Sequence, residues 1–341
     1  MMKVLYLDDE NQTRWDSFVD SCTNATFFHK AGWRRVIERS FKHKTYYLYA
    51  EENGEIQGVL PLGYIKSLLF GNSLISTPFC VYGGVACVSE NARKILEEAA
   101  CNLARDLQVE YLELRNTMPS NSARHKKDLY VTFQKELDKD HDKNLLAIPR
   151  KQRAMVRKGM SLGLKSSIDK DIEKFYPIYA ESVRNLGTPV FSKKYFETLM
   201  DVFRDEIEIL TIEHNGKDLS SVISFFFRDE VAPYYGGSIT AARDLYANDF
   251  MYWEVMRRSV DKGYLRFDYG RSKQGTGSYR FKKHWGFEPT PLHYEVELIK
   301  ASTVPEVNPL NPKYKYFIAG WKLLPLPISN LIGPLLAKSL G

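Results

Sequence analysis

At 341 residues, with 44% apolar and 26% charged positions, the chain has the composition of a soluble globular protein and the length of about two domains. Its net charge of +6 is too mild to argue by itself for a nucleic-acid-binding protein. Cys22, Cys80, Cys87 and Cys101 form no CxxC pair and have no histidine at ligand spacing, so reduced thiols are expected and a metal site is not.

Asp8, Asp9 and Glu10 stand where an export signal would carry its apolar core, which predicts a cytoplasmic protein. Residues 27–41 read as a helix, with Trp33, Val36, Ile37 and Phe41 on one side and Arg34, Arg35, Glu38 and Arg39 opposite. Asn53-Gly54 between the apolar runs Tyr46–Tyr49 and Ile56–Leu60 is a hairpin signal. Extended chain then leads to Val81-Tyr82-Gly83-Gly84. Ser89 is placed to cap a helix running to Asp106, with Ile95, Leu96, Ala99, Ala100 and Leu103 as its buried stripe. Strands follow at Val109–Leu114, carrying Glu113 and Arg115, and near Leu129–Phe133.

The same order then recurs. A helix over Phe191–Phe203 precedes a hairpin at Asn215-Gly216 that joins Ile207–Ile212 to Val222–Phe227. Tyr234-Tyr235-Gly236-Gly237 follows, then a helix over Phe250–Lys262 that Gly263 is placed to stop. Leu265, Phe267 and Tyr269 alternate with Arg266, Asp268 and Gly270 as a strand, and His293–Ile299 is the last strand. Four landmarks recur at similar offsets: Asn53 with Asn215, Phe28 with Phe191, Gly83 with Gly236, and Glu113 with Asp268. The order predicts two tandem copies of one mixed α/β domain, at 1–145 and 146–302, followed by an arm at 303–341.

Between the copies, Pro149 suits the start of a helix over 148–159, on which Arg150, Arg153 and Arg157 share a face suited to phosphate. A solvated linker helix is an equal reading. After the Pro- and Asn-containing connector Ala301–Pro312, Tyr314–Leu340 is rich in Leu and Ile but broken by Pro325, Pro327 and Pro334, and its apolar runs fall short of the ~20 residues that span a bilayer. It suits either packing on the globular body or a peripheral place at the inner membrane face, with Trp321, Lys313, Lys315 and Lys322 at the headgroups.

Chemistry is expected around the second glycine pair. Glycines inside an aromatic strand mark a bulge or a close backbone approach, and a bulge frees N–H groups that can hold an acyl carbonyl. The strand carrying Asp268 runs into Gly270-Arg271-Ser272-Lys273-Gln274-Gly275-Thr276-Gly277, a polar loop, and then into a basic aromatic cluster.

These residues resemble the FemAB-like transferases, which carry tandem GNAT-type acyltransferase domains. The segments that carry the resemblance are Pro149-Arg150-Lys151-Gln152-Arg153, Pro233-Tyr234-Tyr235-Gly236-Gly237-Ser238, Phe267 through Gly277, Phe281-Lys282 and Trp285-Gly286-Phe287-Glu288-Pro289. With the Leu-Pro tail, the match looks closest to the FemAB-like proteins of exosortase (PEP-CTERM) systems. The resemblance implies two tandem GNAT-like domains with mixed central sheets, an apolar C-terminal arm, and transfer of an acyl or aminoacyl group onto the amine of an anionic precursor in envelope or exopolysaccharide assembly. It implies no tightly bound cofactor, an acyl-CoA or aminoacyl-tRNA donor, and a small or lipid-linked anionic acceptor. Lys282 is the implied oxyanion stabiliser. Asp268 as base and Tyr235 as leaving-group donor are the further catalytic candidates. Arg150, Lys151, Arg153, Arg271, Ser272, Lys273, Tyr279 and Trp285 are candidates for the acceptor, and Gly236, Gly237, Arg243 and Asn248 for the donor. The segment Ala241–Asn248 lacks the glycines of a pyrophosphate loop, which favours as an alternative a non-catalytic module holding a phosphorylated glycan or lipid-linked precursor.

Overall fold

The computed structural model describes residues 1–67, 71–304 and 312–339, with side chains from Lys315 onward in the last stretch. The Lys313 side chain, residues 305–311 of the expected connector and Leu340 lie outside the described residues. The chain forms two compact units, Met1–Tyr130 with Pro291–Glu306 and Ala337–Gly341, and Val131–Thr290 with Val307–Leu336.

The chain opens with β1 (Lys3–Tyr6), α1 (Gln12–Ser21), α2 (Gly32–Phe41), β2 (Lys44–Glu52), β3 (Glu55–Ser67) and β4 (Gly71–Ser76). It continues through β5 (Ala86–Cys87), α3 (Glu90–Asp106), β6 (Tyr111–Asn116) and β7 (His125–Lys127). Then come β8 (Tyr130–Glu136), α4 (His141–Ala147), α5 (Arg150–Ser161), β9 (Lys165–Asp169), α6 (Ile172–Leu186) and α7 (Lys193–Phe203). β10 (Ile207–His214), β11 (Lys217–Phe227), β12 (Glu230–Ser238), α8 (Ala247–Asp261), β13 (Arg266–Asp268) and β14 (Ser272–Lys273) follow. α9 (Gly277–His284), β15 (Pro289–Pro291), β16 (His293–Leu298), α10 (Pro312–Leu323) and α11 (Leu326–Ala337) complete it.

Each unit holds one mixed sheet. The first runs β1-β2-β3-β4-β6-β16-β7, with β5 on β3; the second runs β14-β8-β13-β12-β11-β10-β9, with β15 on β8. Both hairpins expected from Asn-Gly form, because Asn53, Gly54, Asn215 and Gly216 all take positive φ. Ser89 caps α3 by accepting the Ala92 N–H. Each sheet contains a parallel pair, β4 with β6 in the first and β12 with β13 in the second, and Glu113 and Asp268 are the third residues of β6 and β13. That is the duplicated order the sequence suggests. Gly83 is not the counterpart of Gly236, since it lies outside the strands, after β4, whereas Gly236 is in β12.

Two strands change partners relative to the sequence order. The strand near Leu129–Phe133, expected to complete the first half, is β8 and pairs with β13 in the second sheet, Phe267 opposite Lys135. The last strand, expected in the second half, is β16 and pairs with β6 in the first, Val296 opposite Glu113. Alternation identifies a strand, but it does not say which sheet edge that strand will meet. The basic aromatic cluster after the polar loop, to which the sequence reading assigns no element, is helical over 277–284. Thr276 caps it by accepting the Tyr279 N–H, and Lys282, Lys283 and His284 sit at its negative end.

In the second unit α8 and α6 cover opposite faces of the sheet. A Cβ on Gly236 would point at Tyr252 of α8, and one on the next residue, Gly237, at Tyr179 and Ser182 of α6. Val131, Phe133, Trp253, Met256, Phe267 and Trp285 form part of the core on the α8 side.

Candidate active site

β13 is only three residues long and accompanies β12 at Glu230 and Val231 alone. Beyond that point the two parallel strands part, and the far end of β12 forms a wall. A cavity of about 490 Å³ opens there, lined by Gly236, Gly237 and Ser238 of β12, the last turn of α6, the loop 239–246, and the first turns of α8 and α9. The register of β12 against β11 slips at Tyr234, since Ile223 faces Tyr235 and Ser224 faces Pro233. The bulge expected at Gly236-Gly237 therefore sits just before them. Pro233 brings no N–H to the ladder, which makes this the point at which pairing can be interrupted.

The glycines are present for close approach. A Cβ on Gly237 would lie 2.6 Å from Ser182 Cβ, whereas one on Gly236 would lie 3.2 Å from Val222 Cγ2 and 3.4 Å from the Tyr252 hydroxyl. Gly236 thus leaves open the floor of the cavity. The α8 N-terminus has no side-chain cap, and Tyr246 before it is left-handed at φ 57°. Ser238 Oγ donates to Asn248 Oδ1 at 3.2 Å, which ties the strand end to the helix start.

The chemical group on this wall is Asp249, in the first turn of α8. Trp285 Nε1 donates to its Oδ1 at 3.1 Å. Burial pushes the carboxyl up to about 6, against the Trp285 hydrogen bond and a bond from its own backbone, both of which favour the anion. Position at a helix N-terminus also favours the anion, but by only ~0.3–1 kcal/mol, too little to reverse desolvation. Tyr252, three residues on, lines the same cavity, and burial with the nearby Asp249 charge pushes its phenol up to about 12. Near neutral pH the carboxylate is able to take a proton, and the Tyr252 hydroxyl on the same wall stays protonated.

The structure brings Gly236, Gly237, Arg243 and Asn248 together on the cavity wall. It places the other residues singled out by sequence elsewhere. Lys282 is buried on α9, and its ammonium donates to the carbonyls of Gly270 (2.8 Å) and Arg271 (3.0 Å) rather than lining the cavity. Burial draws that ammonium down to about 7, with Asp268 acting in the opposite direction. Asp268 accepts from the Gly270 N–H (2.6 Å), Thr132 (3.3 Å) and Gln134 (3.3 Å), so it shapes the same turn from the other side. Tyr235 is buried among Tyr179, Phe191 and Phe196, with its hydroxyl 2.6 Å from that of Tyr195. Its side chain lies on the α6 face. Alternation along β12 puts the neighbouring Gly236 on the opposite face, toward Tyr252.

Arg150 and Lys151 are exposed on α5, and Arg153 donates to the Leu146 carbonyl at 2.7 Å. Arg271 and Lys273 are half-buried, and Ser272 is buried in β14. Tyr279 packs edge-on against Phe133, and Trp285 is fully buried. Sequence reasoning missed Asp249 and Tyr252. Their spacing, Asp-x-x-Tyr just inside a helix, was visible, but an acid in a first turn ordinarily signals only the helix dipole.

Among the described residues no cluster of His, Cys, Asp or Glu suits a metal ion, and no helix is long and apolar enough to cross a membrane. Among the described residues no two cysteines are joined in a disulfide.

Residues 148–283 match the family model described as an acetyltransferase (GNAT) domain. No curated protein matches the chain by sequence. Among solved structures the chain is similar to FemX, with a TM-score of 0.69 and 15% identity over 93% of this chain and 100% of that one. It is also similar to a tandem GNAT protein from the clavulanic acid biosynthesis pathway (TM-score 0.54, 13% identity, 89% of this chain and 100% of that one). L-PGS from Bacillus licheniformis is a third (TM-score 0.58, 10% identity, 96% of this chain and 97% of that one). At these identities the likeness is one of fold: two GNAT-like α/β domains in tandem, with a GNAT domain in the second half.

Proposed function

We propose that the protein is a transferase that moves an activated acyl or aminoacyl group onto an amine, with the cavity at the end of β12 as the place of reaction. The observation that carries this reading is the half-buried Asp249 carboxyl, drawn up to about 6 and held by Trp285 on the cavity wall that Gly236 and Tyr252 also line. A base whose pKa lies just below working pH is ionised yet still basic enough to assist an amine. As the amine nitrogen bonds to the acyl carbon, its proton passes to Asp249 and the carbonyl electrons move to oxygen. When the carbon–oxygen double bond re-forms, the leaving thiolate or alkoxide departs. It takes a proton from Tyr252, which Asp249 then restores. The sum is an amine and an activated acyl compound giving an amide and a free thiol or alcohol.

Lys282 acts in this reading as a positioning residue, through the Gly270 and Arg271 carbonyls that it holds. The resemblance to FemAB-like proteins supports an anionic acceptor from envelope or exopolysaccharide assembly and leaves acyl-CoA and aminoacyl-tRNA as the donor classes. The loop before α8 bears on that choice. Ala242, Arg243 and Tyr246 donate their N–H groups to the carbonyls of Ile239, Thr240 and Arg243. Those amides are unavailable to a pyrophosphate unless the loop opens.

The test is transfer from acetyl-CoA and from aminoacyl-tRNA to a panel of amine acceptors, alongside melting in excess of each donor. Ligand at ~100 times its Kd adds about 2.7 kcal/mol, a visible shift. A donor-dependent shift with amide formation supports the reading. No shift and no amide with either donor refutes it.

A further inference from the structure

The two C-terminal helices expose what a helix packed on a globular protein usually hides. α11 turns Ser329 and Gly333 inward, and Gly333 lies so close to Val190 that a Cβ there would come within 3.0 Å of its backbone. Ile328, Leu331 and Leu335, three and four apart, face out, with Leu331 74% and Leu335 60% exposed. α10 adds Tyr316 at 85% and Leu323 at 84%. The pair is not frayed chain. Arg184 of α6 donates to the carbonyls of Lys322 (3.3 Å) and Leu324 (3.1 Å), and Ile318 packs on Gly187. Charge narrows the choice of occupant. No Asp or Glu occurs from 307 to 341, while Lys315 and Lys322 are exposed beside the apolar side chains. A second copy meeting this face in a symmetric dimer would set these cations against one another with no carboxylate from the arm between them. An anionic bilayer surface offers both the apolar layer and the opposite charge.

We propose that α10 and α11 form a docking surface for anionic lipid, held as a rigid face on α6. The last turn of α6, with Ser182, Asn185 and Leu186, lines the cavity. Docking therefore presents the cavity rim to the bilayer, and the amine or acyl substrate is an amphiphile or lipid-linked molecule. That second statement rests on the acyl-transfer reading; the docking itself does not.

The experiment is co-sedimentation of the full chain with sucrose-loaded vesicles of phosphatidylcholine alone or mixed equally with phosphatidylglycerol. Three proteins are compared: the natural chain, Ile328→Ser/Leu331→Ser/Leu335→Ser, and Lys315→Glu/Lys322→Glu. The natural chain is expected to sediment with the phosphatidylglycerol vesicles and to partition at least ~10-fold less onto phosphatidylcholine, and each variant should lose ~10-fold or more. Equal sedimentation of the natural chain and the serine variant overturns the proposal, as does a natural chain that stays in solution with both vesicles. A dimer that becomes a monomer in the serine variant assigns the face to a second copy and also overturns it. Unchanged melting checks that the serine variant folds; if it does not, Leu331→Ser alone carries the same comparison. Vesicle binding without any transfer activity sinks the substrate statement and leaves docking standing. Transfer to soluble amines without vesicle binding sinks both docking and the substrate statement and leaves the acyl-transfer reading standing.

Discussion

Replacing Asp249 with Asn separates catalysis from stability, because the two should move in opposite directions. In the folded protein this carboxyl ionises at about 6 rather than the ordinary 3.8, so its charge is disfavoured by folding. At about 1.4 kcal/mol per pH unit the difference amounts to ~3 kcal/mol against the native state above the folded pKa. The direction follows from proton binding: between 3.8 and about 6 the folded chain holds more proton than the unfolded one, so stability falls as pH rises through that window. Asn keeps an oxygen for the Trp285 N–H and removes the charge, but its NH₂ needs a partner, which returns ~1–2 kcal/mol of the gain. Asp249→Asn should therefore melt higher at pH 7.5 by ~1–2 kcal/mol, roughly 2–8 °C for a unit of this size. The advantage should fade as pH is lowered from 6 toward 4. Amide formation should drop by ~10²–10⁴-fold if the carboxylate takes the amine proton. Melting scans at several pH values and single-donor turnover read both quantities. A variant that is equally or less stable at pH 7.5, with no pH-dependent difference, refutes the desolvation account. Undiminished turnover removes Asp249 from the chemistry.

Trp285→Phe deletes the donor to Asp249, so the acid limb of the pH–rate profile should move upward from about 6; a limb that stays in place means the indole N–H does not tune the base. Lys282→Met removes an ammonium whose burial lowers its pKa to about 7, where the folded chain holds less proton than the unfolded one up to 10.5. The natural protein should thus gain stability relative to this variant as pH rises from 7 to 10, and a flat difference in melting would contradict the burial argument. Gly237→Ala meets Ser182 Cβ at 2.6 Å and should cost ~1–3 kcal/mol by overpacking, measured in urea. Gly236→Ala meets only Val222 Cγ2 and the Tyr252 hydroxyl, at 3.2 and 3.4 Å, so it should fold nearly normally while weakening donor binding; equal loss of stability in both would mean the cavity floor is not open as described.

What the sequence made legible is what local physics decides. Both Asn-Gly hairpins, the Ser89 cap and the α3 span, and the Gly263 stop after α8 follow from backbone preferences that act within a few residues. The partner exchange of β8 and β16 was not legible, because Val131 and Phe133 alternate as well for one sheet as for the other. Their choice is settled by a register against residues more than a hundred positions away, Glu136 opposite Arg266 and Lys135 opposite Phe267.

The candidate site shows the same division, and it explains why the most conspicuous residues are not the ones at the cavity. Lys282 and Asp268 stand out in sequence because a charge amid aromatic residues must find a partner when it is buried. In the structure they find one in the same turn, Asp268 on the Gly270 N–H and Lys282 on the Gly270 carbonyl. A buried charge satisfied on both sides by backbone is well suited to hold a loop and less able to meet a substrate. Asp249 looks ordinary in sequence, yet it sits where β12 has left β13, and its one side-chain donor among the described residues is an indole 36 residues away. Its carboxyl retains acceptor capacity at the cavity wall, and burial has brought its pKa near the working range. Incomplete satisfaction, rather than charge in an apolar setting, is the property that singles out Asp249 as the proposed reactive group.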